Sequence, residues 1–139
     1  MNYLYLLDTN IISSLIKHPR GAIYSKIQEV GEDTVCTSII VACESRFGAK
    51  KKNSPKLIEK LEIILDSITI LPLTPPVEQY YAEIRTELEQ LGTPIGGNDL
   101  LIAAHALTLN LTVITANIRE FSRVPNLKVE NWLNPESKS

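Results

Sequence analysis

Short apolar segments alternate with helical patterns along this chain, and this alternation is what most restricts its fold. The segment Tyr3 to Leu7 is short, aromatic and apolar, as expected of a buried central strand, and helical patterns follow it. Strands that alternate with helices form a parallel-rich sheet covered on both faces. We therefore predict an α/β fold with a central, mostly parallel sheet of four to five strands, flanked by helices on both faces.

The same periodicities predict the remaining elements. Further strands are predicted at 34–36, 68–71, 112–115 and 128–130. Helices are predicted from a cap at Asn10 through 17, at 22–30, after Ser38 through 49, after Ser54 through 65, from 74–76 to about 91, and at 98–107. Two apolar stripes at helical spacing are predicted. The first is an inward face of Ile39, Ile40, Cys43 and Phe47, and the second is a core or dimer face of Val77, Tyr81, Ile84, Leu88 and Leu91.

The length and composition favour one domain. A chain of 139 residues that is 44% hydrophobic and 22% charged supports a single buried core. We expect one domain over 1–134 and a disordered tail over 135–139. The apolar runs are shorter than the ~20 residues of a membrane span, and the start has no secretory pattern, so we expect a cytoplasmic protein. The cysteines Cys36 and Cys43 lack ligand spacing and are expected to be reduced, packed thiols.

The net charge is −2, which argues against a protein that coats nucleic acid by neutralising phosphates but does not exclude a nuclease. Local basic groups can still hold a phosphate backbone, and the candidates are Lys17, Arg20 and Arg46. The run from Lys50 to Lys52 can serve the same purpose. It is equally well explained as a solvated helix C-terminus.

Four stretches carry acids that a parallel sheet can bring together: Asp8 ends the first strand, Glu44 and Asp99 lie on helices, and Glu120 follows the fourth strand. Each has a structural explanation taken alone. Asp8 can cap a helix, Glu44 can be an exposed ion-pair partner, Asp99 can stabilise a helix dipole, and Glu120 can form a capping box with Asn117. Jointly they predict a divalent-ion site, because converging carboxylates repel by about 4 kcal/mol per pair at ~4 Å and an effective dielectric of ~20.

Four motifs occur in a fixed order. They are Leu7-Asp8-Thr9-Asn10; Glu44 with Arg46-Phe47-Gly48; Pro94-Ile95-Gly96-Gly97-Asn98-Asp99 with Ile102-Ala103-Ala104-His105-Ala106; and Thr115-Ala116-Asn117-Ile118-Arg119-Glu120-Phe121-Ser122-Arg123-Val124. Together they resemble the PIN-domain family and, within it, the VapC-type toxins of type II toxin–antitoxin modules. The resemblance extends to about Trp132.

The resemblance implies an endoribonuclease that depends on Mg²⁺ or Mn²⁺ and cuts single-stranded or loop RNA. Asp8, Glu44 and Asp99 match the acidic triad of the family, and we expect Asp8 and Asp99 to bind the metal and Glu44 to act as ligand or base. Many relatives carry an aspartate where this chain has Asn117, so Glu120 is our candidate for the fourth catalytic position. Thr115 and Asn117 would support the ligands.

The resemblance also implies partners. A small antitoxin would occupy the acidic groove and insert a basic side chain against Asp8 and Asp99. Homodimers are expected, with the region of Tyr80 and Tyr81 as the candidate contact surface, and with larger toxin–antitoxin complexes built on them. The segment 120–124 is similar to the subgroup that cuts the anticodon loop of initiator tRNA, which makes tRNA a candidate substrate.

Three alternatives remain open. Metal-free RNA cleavage needs a base and an acid, and this chain has only His18 and His105, the second of which lies roughly 240° around its helix from Asp99. A phosphoacceptor signalling domain shares the α/β class, but it requires an aspartate that ends a middle strand and a lysine that ends a later one, and this chain has neither at those positions. A catalytically silent PIN scaffold is supported only by Asn117.

Overall fold

A computed structural model describes residues 2–133, and its centre is a five-stranded sheet in which all strands are parallel. The strand order is β3-β2-β1-β4-β5. The strands are β1 (Tyr5–Leu7), β2 (Val35–Ser38), β3 (Thr69–Leu71), β4 (Thr112–Ile114) and β5 (Lys128–Glu130). The predicted α/β class, the parallel sheet and all five strands are confirmed. The predicted tail over 135–139 lies outside the described residues.

Seven α-helices connect and cover the strands within the described chain. They are α1 (Thr9–Lys17), α2 (Ala22–Val30), α3 (Ile39–Lys52), α4 (Pro55–Ser67), α5 (Val77–Gln90), α6 (Gly97–Leu109) and α7 (Ile118–Phe121), and a 3₁₀ turn at Glu32–Thr34 precedes β2. None of these helices is both long and apolar enough to cross a membrane.

The central strands are covered on both faces. Consecutive side chains of a strand point to opposite faces, and both Leu6 and Leu7 of β1 are fully buried, as are Val113 and Ile114 of β4. Leu7 pairs in register with Thr37 of β2 and with Ile114 of β4. The carboxyl ends of the three central strands therefore meet at one edge of the sheet, and Asp8, Ser38 and Thr115 lie there.

The predicted helix caps are confirmed for α3 and α4 but not for α1. Ser38 and Ser54 cap α3 and α4 as predicted, because their hydroxyl groups accept hydrogen bonds from Ile40 N (3.1 Å) and Leu57 N (3.2 Å). The prediction that Asn10 caps α1 is wrong. Asp8 occupies that position and accepts a hydrogen bond from Thr9 N at 2.8 Å, so the helix begins directly after β1.

The predicted inward face of α3 is wrong for three of its four residues, and only Ile40 packs against the core. Ile39, Cys43 and Phe47 are exposed, with 68% of the Phe47 surface accessible, and the buried residues are Val41, Ala42 and Ala49. Small side chains allow the helix to approach its neighbours closely, but they contribute little to a hydrophobic pattern, and the larger exposed residues therefore misled the prediction. Both cysteines are free, and Cys43 is not the packed thiol that we expected.

The stripe of α5, predicted as a core or dimer face, belongs to the core at its centre and is exposed at its end. Ile84 and Leu88 are buried, whereas 66% of the Leu91 surface is exposed. The helix ends at Gln90, and Gly92 follows with φ of +71°, a conformation that glycine adopts without steric cost. The predicted end of this helix near residue 91 is confirmed, and the chain turns away before Leu91 can pack.

Candidate active site at the carboxyl ends of the strands

Asp8 is a buried carboxylate whose two oxygens both have hydrogen-bond donors. Oδ1 accepts from Thr9 N (2.8 Å), and Oδ2 accepts from Thr115 Oγ1 (2.8 Å) and from Asn10 Nδ2 (3.3 Å). Burial raises the pKa of this carboxyl, the hydrogen bonds from Thr115 and Thr9 oppose that effect, and the charge of Glu44 adds to it. Asp8 is therefore both a helix cap and a carboxyl group held in one orientation.

Thr115 joins the two strand ends at the centre of the site. Its hydroxyl donates to Asp8 and accepts from Asn117 N at 2.9 Å and from Asn10 Nδ2 at 3.3 Å. The Asn10 Oδ1 atom accepts from Ala116 N at 2.9 Å. The chain after β4 is thus fixed to the start of α1 by side-chain hydrogen bonds.

Glu44 reaches this centre from α3 and is held from two sides. Its Oε1 atom accepts from Thr9 Oγ1 (2.6 Å), and its Oε2 atom accepts from Asn98 Nδ2 (3.1 Å). The structural alternative, an exposed glutamate paired with a nearby base, is absent within residues 2–133. Glu44 is instead oriented by neutral donors from α1 and α6, and it has no ion-pair partner in the described part of the chain.

Asp99 lies against another carboxylate. Burial raises the pKa of Asp99 to about 8, together with a hydrogen bond to Glu120 and the charges of Glu120, Asp8 and Glu44. The pKa of Glu120 is lowered because it accepts that hydrogen bond, with further support from Gly96 N and Asn117. The other three predicted acids therefore all act on Asp99, and in the absence of a cation the pair of Asp99 and Glu120 retains a proton near neutral pH.

Glu120 also links the start of α6 to the residue that precedes α7. Its Oε1 atom accepts from Gly96 N at the start of α6 (3.1 Å), and its Oε2 atom accepts from Asn117 Nδ2 (2.5 Å). Asn117 precedes α7 but makes no side-chain cap, so the capping box, which was the alternative explanation of Glu120, is not formed. The side chains of Asn117 and Glu120 instead bind each other and keep Glu120 beside Asp99.

The four acids share one edge but do not form a finished coordination shell. Among residues 2–133, no three His, Cys, Asp or Glu side chains are already arranged as a metal site. Glu44 and Glu120 use their oxygens to accept hydrogen bonds from the protein, as described above. Asp99 differs from the other three acids, because its only hydrogen-bond partner among the described residues is Glu120.

The three basic residues that were predicted to contact phosphate have different surroundings. Lys17 and Glu44 both line a cavity of about 150 Å³ between α1, α3 and α4, together with Lys52. Arg46 instead forms an ion pair with Glu62, and the Arg20 guanidinium lies 5.4 Å from the centre of the Tyr24 ring. The structure therefore brings Lys17 towards the acids and gives Arg20 and Arg46 other partners.

His105 is buried away from the acids, as predicted. Its Nδ1 atom lies 2.8 Å from Ser38 Oγ, and burial lowers the pKa of the imidazole. The ring connects α6 to the start of α3 and does not line the site.

Three supporting residues were missed from the sequence, namely Thr9, Asn10 and Asn98. Asn10 was assigned to a helix cap, and no role was given to the other two. The signal for Thr9 and Asn10 is their position directly after Asp8 at a helix start, where a polar side chain faces the same edge. Asn98 precedes Asp99 in the same way.

Comparison with known proteins gives a consistent result. Residues 5–127 match the PIN domain. Ribonuclease VapC2 of Rickettsia felis is 43% identical over 132 residues, which is 93% of this chain and 98% of the relative. The tRNA(fMet)-specific endonuclease VapC of Salmonella typhimurium is 32% identical over 129 residues, with 92% and 97% covered.

A solved structure agrees. VapBC2 from Rickettsia felis, bound to a DNA fragment from the promoter, matches with a TM-score of 0.86 and 40% identity over 93% of this chain and 98% of that chain. A second, VapBC-5 from Mycobacterium tuberculosis, is described as a member of the VapBC family of toxin–antitoxin systems and matches with a TM-score of 0.58 and 26% identity over 70% and 79%. From the domain match, the high-coverage relatives and the shared fold, we conclude that this chain belongs to the PIN-domain family.

Proposed function

We propose that this protein is a Mg²⁺- or Mn²⁺-dependent endoribonuclease and the toxin of a toxin–antitoxin pair. The observation that carries the proposal is the meeting of Asp8, Glu44, Asp99 and Glu120 at the carboxyl ends of the parallel strands. The names of the relatives support ribonuclease activity.

The residues fit a divalent cation by charge and by ligand type. Carboxylate oxygens are the ligands that Mg²⁺ prefers, and Mg²⁺ binds through one or two of them while it keeps several waters. The raised pKa of Asp99 reflects crowded negative charge, which a cation would relieve. Asp8 and Asp99 would hold the ion. A site of only two direct carboxylates does not need the three-ligand cluster that the described residues lack.

The remaining side chains then have separate roles. The hydrogen bonds from Thr115 and Thr9 N favour the ionised form of Asp8 against the effect of its burial, and Asn117 keeps Glu120 against Asp99. Glu44, oriented by Thr9 and Asn98, accepts the proton of the attacking water. When bound, the ion supplies positive charge for the phosphate oxygens and acidifies that water. Hydrolysis in line would leave a 5′-phosphate and a 3′-hydroxyl.

The proposed substrate is single-stranded or loop RNA, with the anticodon loop of initiator tRNA as the first candidate. The Salmonella relative named for tRNA(fMet) and the segment 120–124 support this choice. Of the three predicted phosphate contacts, Lys17 has the best support, because it lines a cavity together with Glu44. A cytoplasmic location follows from that substrate.

We also propose an antitoxin partner, since the VapBC structures are related to this chain and VapBC is a toxin–antitoxin family. The antitoxin would insert a cation between Asp8 and Asp99 and so take the place of the metal. A homodimer that uses the region of Tyr80 and Tyr81, with larger complexes built on it, completes the proposed assembly. Co-purification with the antitoxin and light scattering of the complex test these two points.

Two rival functions are a silent PIN scaffold and a phosphoacceptor domain. A silent PIN scaffold would fold and bind its partner without cutting RNA, and Asn117 remains the only feature in its favour. Family membership and the strand order argue against the phosphoacceptor domain.

End-mapping of RNA cut by the purified protein tests the proposal. The wild-type protein should cut tRNA(fMet) with Mg²⁺ or Mn²⁺, and Asp8→Asn should retain the fold by circular dichroism and lose the cleavage. Asp33→Asn is the matched control, because Asp33 is exposed in the 3₁₀ turn and remote from the site. Cleavage by Asp8→Asn at the wild-type rate would refute the assignment, and a silent wild-type protein would favour the scaffold.

A further inference from the structure

An open cavity of about 760 Å³ lies beside the acidic site, at the carboxyl ends of β4 and β5. Its walls are formed by the segment 116–119 on one side and by 129–131 on the other. Small-molecule pockets commonly measure about 300–1,000 Å³, so one nucleotide can be accommodated. None of the four acids and none of the three predicted basic residues lines this cavity.

Asn117 connects the cavity to the proposed reaction centre through its side chain and its backbone. Asn117 lines the cavity, while its side chain binds Glu120 at 2.5 Å and its backbone N–H binds Thr115 Oγ1 at 2.9 Å. Thr115 in turn holds Asp8. A group bound in this cavity therefore lies next to the phosphate that the acids would act upon.

Arg119 supplies an uncommitted cation in the wall of this cavity. The other four arginines are engaged: Arg46 and Arg85 form ion pairs, Arg20 packs on Tyr24, and Arg123 donates to Pro94 O. Arg119 is exposed and has no hydrogen-bond or ion-pair partner among residues 2–133. A polyanion that approaches four carboxylates needs such a cation, because the acids themselves repel phosphate.

The opposite wall offers a donor and an acceptor. Asn131 Oδ1 accepts from Leu133 N, and Glu130 Oε1 accepts from Trp132 Nε1. Asn131 Nδ2 and Glu130 Oε2 have no partner in the described part of the chain. An amide donor beside a carboxylate acceptor is a combination that reads the hydrogen-bonding edge of an unpaired base.

We propose that this cavity is a nucleotide subsite for single-stranded RNA, in which Arg119 holds the phosphate next to the scissile one and Asn131 and Glu130 contact the base. The inference rests on the proposed ribonuclease activity and adds to it a binding position for one nucleotide and a preference for its base. Arg119 on one wall would contribute affinity, and Asn131 and Glu130 on the opposite wall would determine the base preference.

Salt-dependent binding tests the role of Arg119. The probe is a single-stranded 12-nucleotide RNA of mixed sequence, bound to full-length protein in the Asp8→Asn background so that it stays intact. Each phosphate contact contributes about 0.7 to the slope of log affinity against log salt for single strands. Arg119→Ala should make the slope shallower by about 0.7, and Arg119→Lys should restore it.

The matched control is Lys128→Ala. It removes the same charge from the strand that borders the cavity, but at its opposite end, and Lys128 is exposed. Its slope should equal that of the Asp8→Asn parent. Equal slopes for Arg119→Ala and Lys128→Ala would overturn the inference.

End-mapping tests the base contact in protein that is wild type at Asp8. Glu130→Gln keeps an oxygen that can accept from Trp132 and exchanges the free acceptor for a donor, so the preferred base beside the cut should change while the salt slope does not. An unchanged base preference refutes the base contact. Loss of antitoxin binding by Arg119→Ala with unaltered RNA binding would assign the cavity to the antitoxin instead. A wild-type protein that cuts no RNA would instead count against the proposed function.

Discussion

The acidic site has two halves that are built in opposite ways. Both oxygens of Asp8 receive hydrogen bonds, from Thr9 N, Thr115 and Asn10. Asp99 lies against Glu120, and its pKa is raised to about 8 by burial and by that neighbour. The first half is therefore organised by the fold itself, whereas the second is electrostatically incomplete. The difference indicates that a cation would act mainly on the second half.

Removal of divalent metal should have the largest effect. EDTA should stop RNA cleavage completely, and added Mg²⁺ or Mn²⁺ should restore it, because the ion supplies the charge that the acids cannot. Cleavage is followed on gels with the same RNA before and after dialysis. Activity that is indifferent to chelation would remove the need for a cation at Asp99 and would favour the histidine route.

Asp99→Asn should lower kcat/KM by more than about 100-fold, since even residues that only support metal ligands are typically worth 10–100-fold. The variant should also bind Mn²⁺ more weakly in a direct titration. Asp33→Asn, exposed and distant, should match the wild-type protein in both measurements. Wild-type Mn²⁺ affinity in Asp99→Asn would show that this half of the site does not hold the ion.

Thr115→Val tests the half that is organised by the fold. The change removes the hydroxyl that binds Asp8 Oδ2, so we expect a loss of about 10–100-fold in activity and about 1–3 kcal/mol in the free energy of unfolding. Thr112→Val is the control, because Thr112 is on the same strand at its other end and has no side-chain hydrogen bond among those described. Equal effects of the two substitutions would contradict the proposed role of Thr115 in holding Asp8.

The stability of the metal-free protein should depend on pH through Asp99. Its pKa is about 8 in the folded state and 3.8 in the reference state, so between these values the folded protein binds more protons than the unfolded chain. The free energy of unfolding should therefore fall as pH rises from about 4 to about 8. Urea denaturation at pH 6 and pH 9 measures this fall, which Asp99→Asn or bound Mg²⁺ should reduce. An unchanged fall in Asp99→Asn would assign it to other groups.

The sequence predicted the parts of this site that depend on strand ends. Asp8 and Thr115 follow apolar strands, and parallel pairing places such residues side by side, so their meeting was accessible from pattern alone. The position of Glu44 depends on the rotation of α3. That rotation is set by the small residues Val41, Ala42 and Ala49, and the pattern of larger side chains gave the opposite face.

Hydrogen bonds between distant side chains were not predictable in the same way. Asn98 and Thr9 are 89 positions apart in sequence, and only the folded chain brings both to Glu44. Arg46 illustrates the converse. Its neighbours in sequence favour a role in RNA binding, but the packing of α3 on α4 supplies Glu62 as a partner.

Arg46→Ala should have the smallest effect, because its ion pair lies at a solvent-exposed position. Exposed pairs contribute about 0–1 kcal/mol, so the free energy of unfolding should change by no more than that. The KM for RNA should stay within about twofold if Glu62 already occupies the guanidinium, whereas removal of Lys17, which lines the cavity beside Glu44, should raise it more. A larger rise in KM for Arg46→Ala than for Lys17→Ala would place the RNA path along α3 and would move the phosphate contacts away from α1.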